Sequence, residues 1–385
     1  MTARTLALSA AFFLAAVGAC DAPEIARSLD GVTIRCLAQD ASGAVWLGLD
    51  AGLAVLRPGA TEPNRLDLQP LAATGVNAIL PDGACLWLGT DTGLFRYADG
   101  AVARIEMVGA EAALPDTDGS RRLTANDAVR CLCLHQGKLW LGTDGAIMAY
   151  DPADGQWTLF RDCFVWMGVV GGLVGSPSQI SGCRQLLVDR GRRLWALTAI
   201  GLVTLSTPGN VGFSHWQTGY RSVGDGDDSM LVGFWEVTAG MDPAIRDWIG
   251  EYYGPPAAIG LDAFGGLRLL AGDGAILEPP RAPSGAGGAI YGTYRRFSRI
   301  VPQGTEVLAQ ARVFAWAPEG VVIAGESPEN TPTLCVCSPD LRTGAFHVIA
   351  REPATINDLL VATDGRVLVA TNRGLFAMPC PSATP

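Results

Sequence analysis

The chain has 385 residues, 49% of them hydrophobic and 17% charged, with a formal net charge of −10 and a sequence pI near 4.8. That balance excludes intrinsic disorder, which needs low hydrophobicity and high charge, and the acidic surface repels phosphate backbones, so no nucleic-acid partner is expected. The 48 Gly follow no G-X-Y period, which excludes collagen, and together with 10 Trp they favour many short strands joined by tight turns.

The first predicted element is a secretory signal over residues 1–19. Arg4 precedes an apolar run from Leu6 to Val17 that is too short for a comfortable membrane span. The run ends in Val17-Gly18-Ala19-Cys20, followed by Asp21. This resembles the lipobox of bacterial lipoproteins, which implies cleavage before Cys20 and lipid attachment to its thiol. The expected location is then the cell envelope, anchored to the inner or outer membrane. An ordinary secretory signal with an incidental Cys is the alternative.

After residues 24–29 (EIARSL), an unassigned extended segment, one pattern recurs: a short apolar strand, a polar turn with Gly, a Trp-containing strand, then Gly-Leu and another strand. The clearest copies are 32–56, 75–97 and 128–150, a fourth is 182–205, and three that lose the Trp but keep the frame follow at 257–277, 313–327 and 356–378. The equivalent positions are Trp46, Trp87, Trp140, Trp195, Leu269, Ile323 and Leu368. Seven units of at least about 40 residues fit four-stranded blades, so the expected fold is an all-β, seven-bladed β-propeller occupying 20–385. Outer strands are expected at 101–107, 156–161, 213–217, 294–300 and 346–350. Residues 24–29 are expected to supply the outer strand of blade 7 and close the ring.

The copies that read D-x-x-G-x-x-W-[IL]-G-[TL]…G-[LI] resemble the two-component regulator propeller repeat, found in periplasmic sensor regions of bacterial hybrid histidine kinases. The resemblance covers about 32–378 and is best in the first three blades. It implies a propeller that assists sensing. No kinase phosphoacceptor segment or receiver pattern is read in these residues, so the sensor role does not carry over directly.

Three connections between consecutive blades are long: 108–126, 162–180 and 218–256. All are expected on one face, crowding the mouth of the central channel. The stretch 164–175 (FVWMGVVGGLVG) reads as a buried loop or a docking patch. In the insertion at 219–256, Asp242 and Pro243 can start a short helix that Gly254 ends, making it partly helical. Its Trp235, Trp248, Tyr252 and Tyr253 would either stack on a polar ring or pin the insertion to the propeller. The run GDGDD lacks the spacing of a calcium loop, and no metal or cofactor is expected.

Candidate channel residues sit at the starts of inner strands: Arg35, Asn77, Asn126, Asp127, Arg130, Asn357 and Asp358. The Asn and Asp side chains would cap turns or meet a ligand. Arg35 and Arg130 occupy equivalent places and, if they point inward, favour an anionic ligand. Beyond Cys20 there are nine Cys, an odd number. Cys163 and Cys183 flank one loop and are the best disulfide candidates, while the CxC pairs 131/133 and 335/337 read as buried small hydrophobes. No catalytic residues are assigned, because no nucleophile elbow appears and the three His (135, 215, 347) are scattered and read as solvent-facing. The expected function is a non-enzymatic, lipid-anchored propeller that binds a small polar ligand or a protein partner at its loop-bearing face. A propeller lyase or hydrolase, or a structural member of an envelope complex, is the alternative.

Overall fold

In the computed structural model, the residues described are 26–106, 128–160, 162–169, 172–180, 182–199, 201–205, 213–216, 256–278, 298–302, 305–317 and 320–380. Side chains of 162–179, 201, 204, 205, 213–216, 298 and 299 are outside the description.

The described residues begin with β1 (Ala26–Ser28) and then repeat one unit seven times. Blade 1 is β2 (Ile34–Gln39), β3 (Val45–Leu49), β4 (Leu53–Leu56) and β5 (Asn64–Leu66). Blade 2 is β6 (Val76–Asp82), β7 (Cys85–Thr90), β8 (Gly93–Ala98) and β9 (Ala101–Ile105). Blade 3 is β10 (Val129–His135), β11 (Lys138–Thr143), β12 (Ile147–Tyr150) and β13 (Trp157–Phe160). A hairpin follows, β14 (Asp162–Val169) and β15 (Gly172–Gln179), and then blade 4: β16 (Gln185–Val188), β17 (Leu194–Thr198), β18 (Gly201–Leu205) and β19 (Phe213–Trp216). Blade 5 is β20 (Ala258–Leu261), β21 (Leu267–Leu270), β22 (Ile276–Glu278) and β23 (Ser298–Ile300). Blade 6 is β24 (Gln310–Ala317), β25 (Gly320–Glu326), β26 (Pro332–Cys337) and β27 (Gly344–Val348). Blade 7 is β28 (Ile356–Val361), β29 (Arg366–Thr371) and β30 (Gly374–Pro379), with β1 antiparallel to β30 as its outermost strand.

Within each blade the four strands are antiparallel neighbours in chain order. The first strand of each blade packs beside the first strands of the blades before and after it, and β28 meets β2, so the ring closes. The apolar core is divided accordingly. Seven buried clusters are described, one at each blade boundary. The second and third strands are buried on both faces, as in β7 and β4, whereas outer strands such as β5 and β9 are largely exposed. Two-sided burial explains why those strands read as continuous apolar runs, and why charge is scarce.

The repeated motif has a local cause at each end. At the first turn of a blade, an Asp carboxylate accepts the indole N–H of the Trp: Trp46 to Asp40 at 2.7 Å, Trp87 to Asp82 at 3.1 Å and Trp195 to Asp189 at 2.9 Å. Blade 3 lacks that Asp, and Trp140 donates to the His135 carbonyl at 3.3 Å. At the other end of the second strand, the buried Thr hydroxyls of Thr90, Thr143 and Thr371 donate to carbonyls across the next hairpin, at 2.8, 3.2 and 2.9 Å. These polar groups, which burial would orphan, are thereby satisfied.

Two expectations are corrected here. Residues 164–169 and 172–175 do not form a loop. They belong to the β14–β15 hairpin, whose β14 adds in parallel to β19, so blade 4 becomes a six-stranded sheet. The connection 162–180 therefore runs to the outer edge of blade 4 and not over the channel mouth. β-Branched residues at Val165, Val169 and Val174, with the pair Gly171-Gly172 between the last two in sequence, suit a hairpin. The helix expected after Asp242, and the connections 108–126 and 218–256, lie outside the described residues except at their ends.

Candidate functional site

Strand alternation places the connections between blades, the start of each first strand and the turn after each second strand on one face of the ring. Near the start of the first strand, five blades carry a register irregularity at the same place: between Ile34 and Cys36, Val76 and Ala78, Val129 and Cys131, Ala311 and Val313, and Ile356 and Asp358. The extra residue in each is Arg35, Asn77, Arg130, Arg312 or Asn357. A bulge leaves one residue out of the ladder and re-aims its side chain. Blades 6, 7, 1, 2 and 3 are consecutive, so the five polar side chains line one continuous arc of the rim.

The arc is cross-linked. The Arg35 guanidinium donates through Nη1 to Asn77 Oδ1 and to Asp91 Oδ2, both at 2.8 Å. Asn77 Nδ2 donates to Asp91 Oδ1 at 3.0 Å and to the Val129 carbonyl at 3.2 Å. Arg130 approaches Asp91 at 3.5 Å and grips Asp144 through Nε and Nη2, at 3.1 and 2.9 Å. Asn357 Nδ2 donates to the Ile34 carbonyl at 2.8 Å, the residue before Arg35. In blade 6, Arg312 Nε meets the buried Glu326 at 2.8 Å, and the other Glu326 oxygen accepts the Ile356 N–H at 3.0 Å. Gly75 makes room for this: a methyl group there would overlap the Arg35 guanidinium.

Burial works against ionisation of Asp91, but the Asn77 and Arg35 hydrogen bonds and the charges of Arg35 and Arg130 outweigh it and hold the carboxyl below the usual range. The Asp144 hydrogen bond raises Arg130. Two Arg face two Asp along blades 1 to 3, so this part of the arc is charge-balanced. Both Arg side chains are paired with carboxylates, and the surface offered is an alternating set of donors and acceptors. Arg35 and Asp91 keep 30% and 38% of their side-chain surface, so the groups remain in reach of solvent.

Beside the arc lies a group of different character. Burial pushes the Asp358 carboxyl up to about 6, although it accepts the Leu37 N–H at 2.7 Å and the Leu359 N–H at 2.8 Å. It satisfies a backbone donor on the free edge of the next blade's first strand. Gln185 does the same for Ile259 at 2.7 Å.

Of the residues singled out from the sequence, Arg35, Asn77, Arg130 and Asn357 fall at equivalent bulged positions of adjoining blades. Asn126, Asp127, Trp235, Trp248, Tyr252, Tyr253 and Cys20 lie outside the described residues. Asp91, Asp144, Arg312 and Glu326 were missed. The Asp that follows W-L-G-T in two copies was the signal available for the first two. Cys183 has its sulfur 3.7 Å from Cys131, and Cys163 lies on β14, its side chain outside the description. The reading of all three His as solvent-facing is corrected for His135, which is buried. It lies at the far end of β10 from Arg130, about 17 Å along the strand. His347 is on the outer strand β27 and His215 on β19. Among the described residues no group of three or more His, Cys, Asp or Glu is set to hold a metal, and no helix is long and apolar enough to cross a membrane.

No protein-family profile matches the chain, and no curated protein matches it in sequence. Solved structures do match. One is the extracellular domain of a protein assigned as a hybrid two-component system from B. thetaiotaomicron: TM-score 0.57, 14% identity, 92% of this chain and 39% of that one. Another is a streptogramin B lyase: TM-score 0.57, 11% identity, 92% and 96%. A third is PorZ, a surface component of the type-IX secretion system of Porphyromonas gingivalis: TM-score 0.57, 14% identity, 90% and 46%. The chain thus spans well under half the length of the first and under half of the third. At these identities the likeness establishes the propeller fold alone.

Proposed function

We propose that this chain is a lipid-anchored envelope propeller that binds a small polar ligand or a protein partner at the rim arc of blades 6, 7, 1, 2 and 3, in a role accessory to sensing. The observation that carries the reading is the repeated bulge, which presents Arg35, Asn77, Arg130, Arg312 and Asn357 at the same place in five consecutive blades. The alternating charges match a neutral, hydrogen-bonding or zwitterionic ligand better than a simple anion. The sensing role draws on the repeat motif and on the likeness to a two-component extracellular domain.

The lipobox supplies the compartment and also an orientation. Five residues separate Cys20 from Ala26, so the two lie at most about 22 Å apart when the chain is extended. As the outermost strand of blade 7, β1 runs toward the arc-bearing face, because Ser28 pairs with Leu375 beside the turn at Gly374. The chain therefore enters from the opposite face. An anchor on Cys20 would then attach on the side of that opposite face, away from the arc. Phe264, 77% exposed in the first turn of blade 5, sits on the membrane-side face in this arrangement.

The test is calorimetric titration of wild type and an Arg35→Ala/Arg130→Ala variant with hexoses, zwitterionic amino acids and dicarboxylates. Binding lost in a variant that keeps its β-sheet spectrum supports the reading. Binding that survives both that variant and removal of 219–256 overturns the site. Incorporation of labelled palmitate that Cys20→Ser fails to abolish overturns the anchor.

A further inference from the structure

We propose that Cys131 and Cys183 form a disulfide that staples blade 3 to blade 4. Cys131 lies on β10 and Cys183 just before β16, so the two sulfurs come from the first strands of neighbouring blades. They lie 3.7 Å apart, 52 residues apart in the chain, and both residues are buried. Gly142 opens the slot that holds them. A methyl group at Gly142 would come within 2.5 Å of each sulfur.

The arrangement is particular to this boundary. Between blades 1 and 2 the corresponding place holds Cys36 against Val76, with Gly48 beneath them. Between blades 2 and 3, Gly89 lies beneath Val129. At the boundary of blades 3 and 4 the valine position is taken by a second Cys. Cys335 and Cys337 are also close, at 3.6 Å, but they share one strand two residues apart, where the backbone fixes their separation. Cys131 and Cys183 sit on neighbouring sheets with their sulfurs 3.7 Å apart, and the bond requires them to close to about 2.05 Å.

The chemistry is thiol–disulfide exchange with a disulfide donor, such as an envelope disulfide-carrier protein or, in vitro, oxidised glutathione. One thiol gives up its proton and attacks a donor sulfur, forming a mixed disulfide and releasing one donor thiol. The second thiol gives up its proton and attacks that bond, so the Cys131–Cys183 bond forms and the second donor thiol leaves. Two electrons and two protons pass to the donor. Burial, and then the neighbouring Cys183, raise the Cys131 thiol well above its ordinary range. Burial shields the bond once it has formed.

The experiment is a tryptic map of the purified full chain, refolded with oxidised and reduced glutathione, alkylated and digested without reduction. The expected product joins residues 131–138 to residues 162–184 and disappears on reduction. It persists in Cys133→Ser and Cys163→Ser and is absent in Cys131→Ser and Cys183→Ser. The oxidised protein unfolds at a higher urea concentration than the reduced protein. Complete alkylation of Cys131 and Cys183 after oxidative refolding overturns the proposal, and so does a bond confined to 162–184, which would join Cys163 to Cys183. The map of wild type decides the question even where a variant fails to fold.

Discussion

Asp91, just past the end of β7, accepts a hydrogen bond at 2.8 Å from Arg35, which stands at the start of β2 in the preceding blade. It also lies 3.5 Å from Arg130 of the following blade. One carboxylate thus ties three blades together at the rim.

Replacing Asp91 with Ala leaves Arg35 and Arg130 facing each other without their shared counter-charge. Because these groups are partly exposed, solvent screens them and the loss is about 1 kcal/mol. The Asp91 contribution is present above about pH 4, where an unfolded carboxyl is ionised, and is lost as pH falls through its lower folded value. Urea unfolding of wild type and Asp91→Ala at neutral and acidic pH reads both effects, and a difference that grows on acidification contradicts the assignment.

Gly75→Ala displaces the Arg35 guanidinium from its place between Asn77 and Asp91. The Asp91→Ala cost should then shrink in the Gly75→Ala background, giving a coupling of about 0.5–1 kcal/mol in a double-mutant cycle. Strict additivity would mean that Arg35 does not depend on the space at Gly75.

Asp358 has the opposite pH behaviour. Its folded carboxyl is raised to about 6 by burial from an ordinary value of 3.8. The folded state therefore holds a proton that the unfolded state has released, and this stability is complete below about pH 4 and lost as pH rises through about 6. Asp358→Asn should flatten that part of the pH profile. Urea midpoints measured from about pH 4 to pH 7.5 make the comparison, and an unchanged slope would assign it to other groups.

The indole–carboxylate bond predicts a graded cost along the repeat. Trp195 is fully buried, and Asp189 also pairs with Arg193 at 2.8 Å. Trp195→Phe removes a buried, charge-assisted bond and should cost about 1.5–3 kcal/mol. Trp46 is partly exposed, and Trp46→Phe should cost less than half as much. Equal costs would show that ring packing, not the hydrogen bond, sets the value.

The blade plan was legible from the chain alone because it rests on local, repeated physics. Glycine-bearing turns, the W-L-G core strand and its spacing recur whatever packs around them, and a chain of short apolar strands has to close on itself to bury both faces. Four of the five polar residues at the bulged first-strand starts, Arg35, Asn77, Arg130 and Asn357, were legible for the same reason, since their position in each repeat marks them out, and Arg312 was missed in a repeat that lacks the Trp. The role of these residues was not legible. Only the assembled ring sets Arg35 beside Asp91 across a blade boundary, where each charge meets its partner. Cys131 and Cys183 were two unrelated sulfurs in the sequence until neighbouring sheets brought them to 3.7 Å. The apolar run at 164–175 likewise carried no strand alternation, and only the structure shows β14 and β15 pairing there and β14 joining the edge of β19. Periodicity is written into neighbouring residues, whereas pairing across blades depends on which surfaces the closed ring presses together.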